Sequence, residues 1–173
     1  MAADDLYRRT PPCTQLSFLT NKLSSESAVR QISILVHGWG CQATHFIPLI
    51  ASLSANGENA EHGFLYLAVD LAGHGESPTS ILPGPEKGGT AELIVSLFYE
   101  VLYQQKCYYG INSTEAQKLS PIILHGHSMG TLTTLELLTA FEDRSPVRVS
   151  HLILLDGSWT GGLTAESLNS GDL

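Results

Sequence analysis

Short, nearly continuous apolar runs alternate along this chain with longer stretches in which apolar residues recur every three or four positions. Ile32-Ser33-Ile34-Leu35-Val36, Phe64-Leu65-Tyr66-Leu67-Ala68-Val69, Pro121-Ile122-Ile123-Leu124 and His151-Leu152-Ile153-Leu154-Leu155 have the length and composition of buried strands. Thr14 to Leu19 is expected to form an opening strand ahead of the turn Ser24-Ser25-Glu26-Ser27. Thr44 to Ala55 predicts a first helix. Leu93, Ile94, Leu97, Phe98, Val101 and Leu102 fall on one face of a second, with Thr90 as its candidate N-cap. A third helix is predicted by Leu132, Leu135, Leu138 and Phe141, with Thr133, Glu136 and Thr139 between them. Pro78 to Gly89 and Lys106 to Ser120 read as polar connections, and residues 1–12 as a mobile tail. The second helix is expected to pack on the sheet, because its opposite face lacks the basic residues of a membrane-seeking helix.

The most informative segment lies where the third apolar run gives way to a helical pattern: Gly126-His127-Ser128-Met129-Gly130. A serine on a sharp strand-to-helix turn is held in a strained backbone conformation, and glycines two residues before and after it admit the neighbouring chains. Its hydroxyl is lifted clear of the sheet, and the Met129 amide points toward the place where an oxyanion would form. The first buried run leads straight into His37-Gly38-Trp39-Gly40. That loop can supply a second oxyanion donor from the Trp39 backbone N–H, with Gly38 and Gly40 permitting close approach and His37 fixing the loop through ring hydrogen bonds. The second run leads into Asp70-Leu71-Ala72-Gly73-His74-Gly75-Glu76-Ser77, polar and glycine-rich like a turn at the carboxyl edge of a parallel sheet.

On these three segments, 37 to 40, 70 to 77 and 126 to 130, the chain resembles the α/β-hydrolase superfamily in its serine-nucleophile branch. The resemblance spans about residues 31–158. It implies an α/β fold, a mostly parallel doubly wound sheet truncated after the strand that follows the elbow helix. It also implies acyl transfer to water through Ser128 without a cofactor or metal. The domain expected is 13–173, a single incomplete unit of this type.

Such a domain needs an acid and then a histidine after its serine. His151 is the sole histidine beyond Ser128. It opens a strand, at the sheet edge opposite the elbow and out of reach of a nucleophile. Asp156, directly after that strand, is a candidate acid whose alternative role is to bond loop amides. His45 and His62 read as surface residues, and His74 as a neighbour of the site or a solvated residue. His125 and His127 share strand spacing but have no nearby third ligand for a metal.

Composition narrows the classes further. The 173 residues are 43% hydrophobic and 15% charged, enough for one globular core. A formal net charge of −8, with nine Lys and Arg in total, argues against a nucleic-acid partner. Cys13, Cys41 and Cys107 are odd in number and lack C-x-x-C spacing, which points to a reduced compartment. No apolar run reaches spanning length and the first twelve residues have no signal-peptide core, so a cytoplasmic location is expected.

Three readings of function follow. The first is the amino-terminal part of a serine hydrolase acting on a small-molecule acyl substrate, inactive or nearly so alone because the general base is absent. The second is a non-catalytic binding or regulatory protein with the same fold. The third is a half-enzyme completed by another chain, which would also cover the exposed edge expected at the strand 151–155.

Overall fold

The four apolar runs become the parallel strands of one sheet. The structure, a computed structural model, describes residues 6–9, 15–21, 31–55, 64–81, 89–109, 122–144 and 149–157. Its strands are β1 (Leu6–Arg9), β2 (Phe18–Asn21), β3 (Gln31–Val36), β4 (Phe64–Val69), β5 (Ile122–His127) and β6 (Val149–Leu155), in the spatial order β1-β2-β4-β3-β5-β6. Strands β4, β3, β5 and β6 run parallel to one another, while β1 and β2 join antiparallel. Among the described residues three helices, α1 (Ile47–Ala55), α2 (Gly89–Tyr109) and α3 (Gly130–Arg144), alternate with the parallel strands.

Side chains alternate across each strand, so the sheet divides its apolar residues between two cores. On one face Ile32, Ile34 and Val36 of β3 and Leu65, Leu67 and Val69 of β4 meet Ile94, Leu97 and Phe98 of α2 and Leu137 and Phe141 of α3. The Phe98 and Phe141 rings lock the two helices edge to face, with centroids 5.1 Å apart. Each of these rings is fully buried, which contributes roughly 1.5–3 kcal/mol. On the other face Leu35, Tyr66 and Ala68 pack under Ala43, Phe46 and Ile50. That second cover lies over the β3–β4 half of the sheet. Over β5 and β6, Ile153 and Leu155 are exposed on the same face as His125 and His127, their neighbours in register.

The structure departs from the sequence expectations at several points. Within the stretch expected to be a mobile tail, Leu6–Arg9 pairs with β2 as an edge strand. Four residues carrying two arginines are too short and too polar for a periodicity signal, and charge is what an edge strand tolerates best. The opening strand expected at 14–19 lies at Phe18–Asn21 instead. The first helix begins as a 3₁₀ turn over Ala43–Phe46. Helix α2 starts at Gly89, one residue before the expected cap, and extends to Tyr109 into the segment expected to be a connection. Val149, not His151, opens β6.

On α3 the buried residues are Gly130, Thr131, Thr134, Leu137 and Phe141; of the expected face Phe141 is buried and Leu138 packs against the core, while Leu132 does not face it. A repeat of strict threes drifts around the helix by about 60° per step, whereas alternating fours and threes stay in line. Leu132 is therefore turned outward and is 45% exposed.

Candidate active site

Ser128 occupies the first position after β5 with φ of 53°, a left-handed conformation that costs a residue with a Cβ roughly 1–2 kcal/mol. Its surroundings hold it there. The Ser128 N–H donates to the Leu155 carbonyl at the end of β6 (2.9 Å), and the Ser128 carbonyl accepts from the Thr131 N–H (3.0 Å) and the Thr131 hydroxyl (2.7 Å). The flanking glycines are required by space rather than by φ. A Cβ on Gly126 would stand 2.6 Å from Thr134 Oγ1 and 2.8 Å from Thr131 Cα, and one on Gly130 2.5 Å from the carbonyl oxygens of Val36 and His37. Helix α3 can start directly over the end of β3 for this reason.

The 37–40 loop lies against the serine. A Cβ on Gly38 would fall 2.7 Å from Ser128 Cβ and 3.1 Å from Ser128 Oγ. His37, 1% exposed, ties this loop to the one after β4. Its Nε2 accepts the Leu71 N–H at 3.0 Å, and its Nδ1 lies 2.8 Å from the Gly38 carbonyl. A carbonyl can only accept, so Nδ1 carries the proton and the ring is the neutral tautomer with both nitrogens engaged. Burial, opposed in part by the Gly38 bond, lowers its pKa from the ordinary histidine value, so the ring stays neutral. The amides of Trp39 and Met129 bond to no other group among the described residues.

Trp39 turns its ring outward, 77% exposed, rather than into the core. The Trp39 and His74 rings meet edge to face with centroids 5.3 Å apart at 80°. Both rings line a cavity of about 590 Å³ that Met129 and, on α3, Leu132, Thr133 and Glu136 also line.

Sequence reasoning passed over Asp70 except as the start of a polar turn. Asp70 is fully buried, and its carboxylate accepts the Ala43 N–H (2.6 Å) and the Glu76 N–H (3.1 Å). It clasps the loop after β3 to the loop after β4, and Gly75, at φ of 53°, leaves no room for a Cβ beside that carboxylate. Ser77 extends the clasp: its hydroxyl donates to the Asp70 carbonyl (2.7 Å) and accepts the Ser17 N–H (2.8 Å). The glycines spaced around Asp70 were the signal available in the sequence.

The remaining predicted residues divide by location. Asp156, exposed with φ of 51°, follows Leu155 and so stands on the same sheet edge as Ser128. His151 is exposed, pairs in register with Ile123 and directs Nδ1 to the Ser150 hydroxyl (2.8 Å). Five residues of strand separate that level from Ser128, about 16 Å. Among the described residues no imidazole bonds to the Ser128 hydroxyl. His125 is buried at Nε2 without a partner, and that burial lowers its pKa. Among the described residues no three His, Cys, Asp or Glu side chains are grouped to hold a metal, and no helix is long and apolar enough to cross a membrane.

Comparison with known proteins agrees with this architecture. The family model described as the alpha/beta hydrolase family matches residues 34–171. A (lyso)-N-acylphosphatidylethanolamine lipase of Mus musculus is 30% identical over 137 residues, which make up 79% of this chain and 33% of that protein. A highly thermostable carboxyl esterase from Bacillus coagulans superposes with a TM-score of 0.58 at 19% identity, over 86% of this chain and 43% of its own. An alpha/beta superfamily hydrolase from Oenococcus oeni PSU-1 gives 0.55 at 15% identity, again over 86% and 43%. This chain thus spans a third of the lipase and less than half of either solved hydrolase. A sheet of order β1-β2-β4-β3-β5-β6, a serine on a left-handed turn before α3 and a family match over most of the sequence together place the chain in the alpha/beta hydrolase family.

Proposed function

We propose that this chain carries the nucleophile and oxyanion-binding half of a serine hydrolase that transfers an acyl group to water. The observation that carries the reading is Ser128, held at positive φ with the Gly38 backbone against its side chain. In the reaction Ser128 Oγ attacks the substrate carbonyl and its proton passes to an imidazole. The amides of Trp39 and Met129 take the developing oxyanion, each contributing roughly 3 kcal/mol to the barrier. The tetrahedral adduct collapses by breaking the bond from the carbonyl carbon to the leaving group, which takes the proton back from the imidazole, and water then hydrolyses the acyl-serine to free the acid and the serine. Asp156, one residue beyond the carbonyl that holds the Ser128 amide, is the candidate acid to orient the imidazole. Relatives named as a lipase and a carboxyl esterase support an acyl substrate.

No described imidazole reaches Ser128, and His62 lies outside the described residues; on the reading that the base is absent, the chain by itself is expected to be inactive or nearly so. The same observation favours a second reading, in which the chain binds without turnover or is completed by another polypeptide. A fluorophosphonate probe applied to the purified chain tests the first. Slow labelling that disappears in Ser128→Ala supports a hydrolase short of its base, since losing the base costs several orders of magnitude in nucleophile activation. Labelling that persists in Ser128→Ala refutes the assignment of the nucleophile.

A further inference from the structure

The cavity beside the elbow has a chemical polarity along its length. It begins between Trp39 and Met129, whose amides flank the nucleophile, and follows α3 outward past Leu132 and Thr133 to Glu136. At 1.5 Å of rise per residue, Glu136 lies roughly 10 Å along the helix from Met129. The inner part is apolar, with Leu71 and Leu132 beside Met129, while the outer part has a carboxylate. Glu136 is exposed and has no ion-pair partner among the described residues. The exposed Trp39 indole, in edge-to-face contact with His74, also lines the cavity.

A carboxylate and an indole facing one cavity attract the same ligand chemistry. The face of an indole is the strongest aromatic site for an organic cation, and quaternary ammonium groups are recognised through such faces. An unpaired carboxylate adds attraction to a cation and repels an anion. Resting on the hydrolase reading for the position of the reacting carbonyl, we infer that this cavity selects substrates bearing an aliphatic chain that ends in a positively charged ammonium group, and that it rejects carboxylate-terminated ones. The chain fills the apolar part, and the ammonium group sits between Trp39 and Glu136.

Binding tests this without requiring turnover. In a Trp159→Phe background Trp39 is the sole tryptophan, since the chain has two, and its fluorescence reports occupancy. The probes are octyltrimethylammonium, octanol and octanoate, titrated at pH 8 and 0.15 M salt. The ammonium probe is expected to bind about tenfold more tightly than octanoate, with octanol between. Glu136→Gln is expected to reduce the ratio to about twofold, which separates the local carboxylate from the general attraction of a chain of net charge −8. Octanoate binding as tightly as the ammonium probe, a ratio unchanged by Glu136→Gln, or no binding of any probe overturns the inference. Fluorophosphonate labelling is read separately. Labelling that persists in Ser128→Ala with the selectivity intact refutes the hydrolase reading and leaves a cation-selective cavity, whereas labelling that disappears in Ser128→Ala with no selectivity does the reverse.

Discussion

Gly38→Ala is the substitution that most directly probes how the two loops meet. The added methyl would lie 2.7 Å from Ser128 Cβ and 3.1 Å from both Ser128 Oγ and the His127 carbonyl oxygen. Carbon atoms in favourable contact stand about 3.5–4.0 Å apart, so one side must retreat by roughly 1 Å. Neither side is free to do so. The Gly38 carbonyl accepts from His37 Nδ1 (2.8 Å) and the Cys41 N–H (3.2 Å), and the Ser128 backbone is pinned to Leu155 and Thr131. Overpacking of this kind costs about 1–3 kcal/mol, which with a urea dependence of about 2 kcal/mol/M lowers the denaturation midpoint by about 0.5–1.5 M. The same retreat carries the Trp39 amide away from the oxyanion position, and losing one such donor slows serine acylation about 10²–10³-fold. Gly40→Ala is the control. At φ of 68° it incurs left-handed strain, but its Cβ would meet nothing within 4 Å, so it should destabilise without moving the Ser128 contact. Urea titration and the fluorophosphonate labelling rate, read on both variants, decide the matter. A Gly38→Ala chain with an unchanged midpoint and an unchanged labelling rate would refute the packing of the loop against the serine.

Ser128→Gly should raise stability by about 0.5–1 kcal/mol, because glycine relieves the left-handed strain at a cost in unfolded-state entropy, while abolishing probe labelling; a lower urea midpoint would contradict the strained turn. Asp70→Asn replaces one acceptor oxygen with an NH₂ group facing a backbone N–H and should destabilise by about 1–3 kcal/mol, checked by urea titration. Both His37 and His125 have pKa values lowered by burial from 6.5. The unfolded chain then binds more protons than the folded one at mildly acidic pH, so their contribution is complete above about 6.5 and is lost as pH falls through the folded values. His125→Leu removes one of these two groups and should flatten the fall in urea midpoint between pH 7 and 5.5; an unaltered slope would sink the assignment of that proton uptake to His125.

Strands β3, β4 and β5 and the strand-to-helix turn at 126–130 were legible in the sequence because each combines an apolar run with a turn whose glycines have a steric cause. At Gly126, Gly130 and Gly38 that cause is now visible as backbone and side-chain atoms where a Cβ would go. Helix α2 was legible because Ile94, Leu97 and Phe98 form a broad stripe, and all three are buried. The contribution of β1 was hidden, since an edge strand needs no apolar periodicity. Leu132 misled because its spacing of strict threes drifts around the helix, which turns it from the core toward the neighbouring cavity. Asp70 was obscured for a different reason: its role is set by amides 27 positions upstream and 6 positions downstream, a pairing that sequence adjacency does not encode.

The bond from the Ser128 amide to the Leu155 carbonyl gives the elbow a dependence on the order of synthesis. A growing polypeptide emerges from the ribosome serine first, and at about 5–20 residues per second the acceptor arrives on the order of seconds later. Until β6 docks, the bond to Leu155 is missing, so a nascent chain paused before residue 155 presents Ser128 on a turn without one of the contacts that hold it at positive φ.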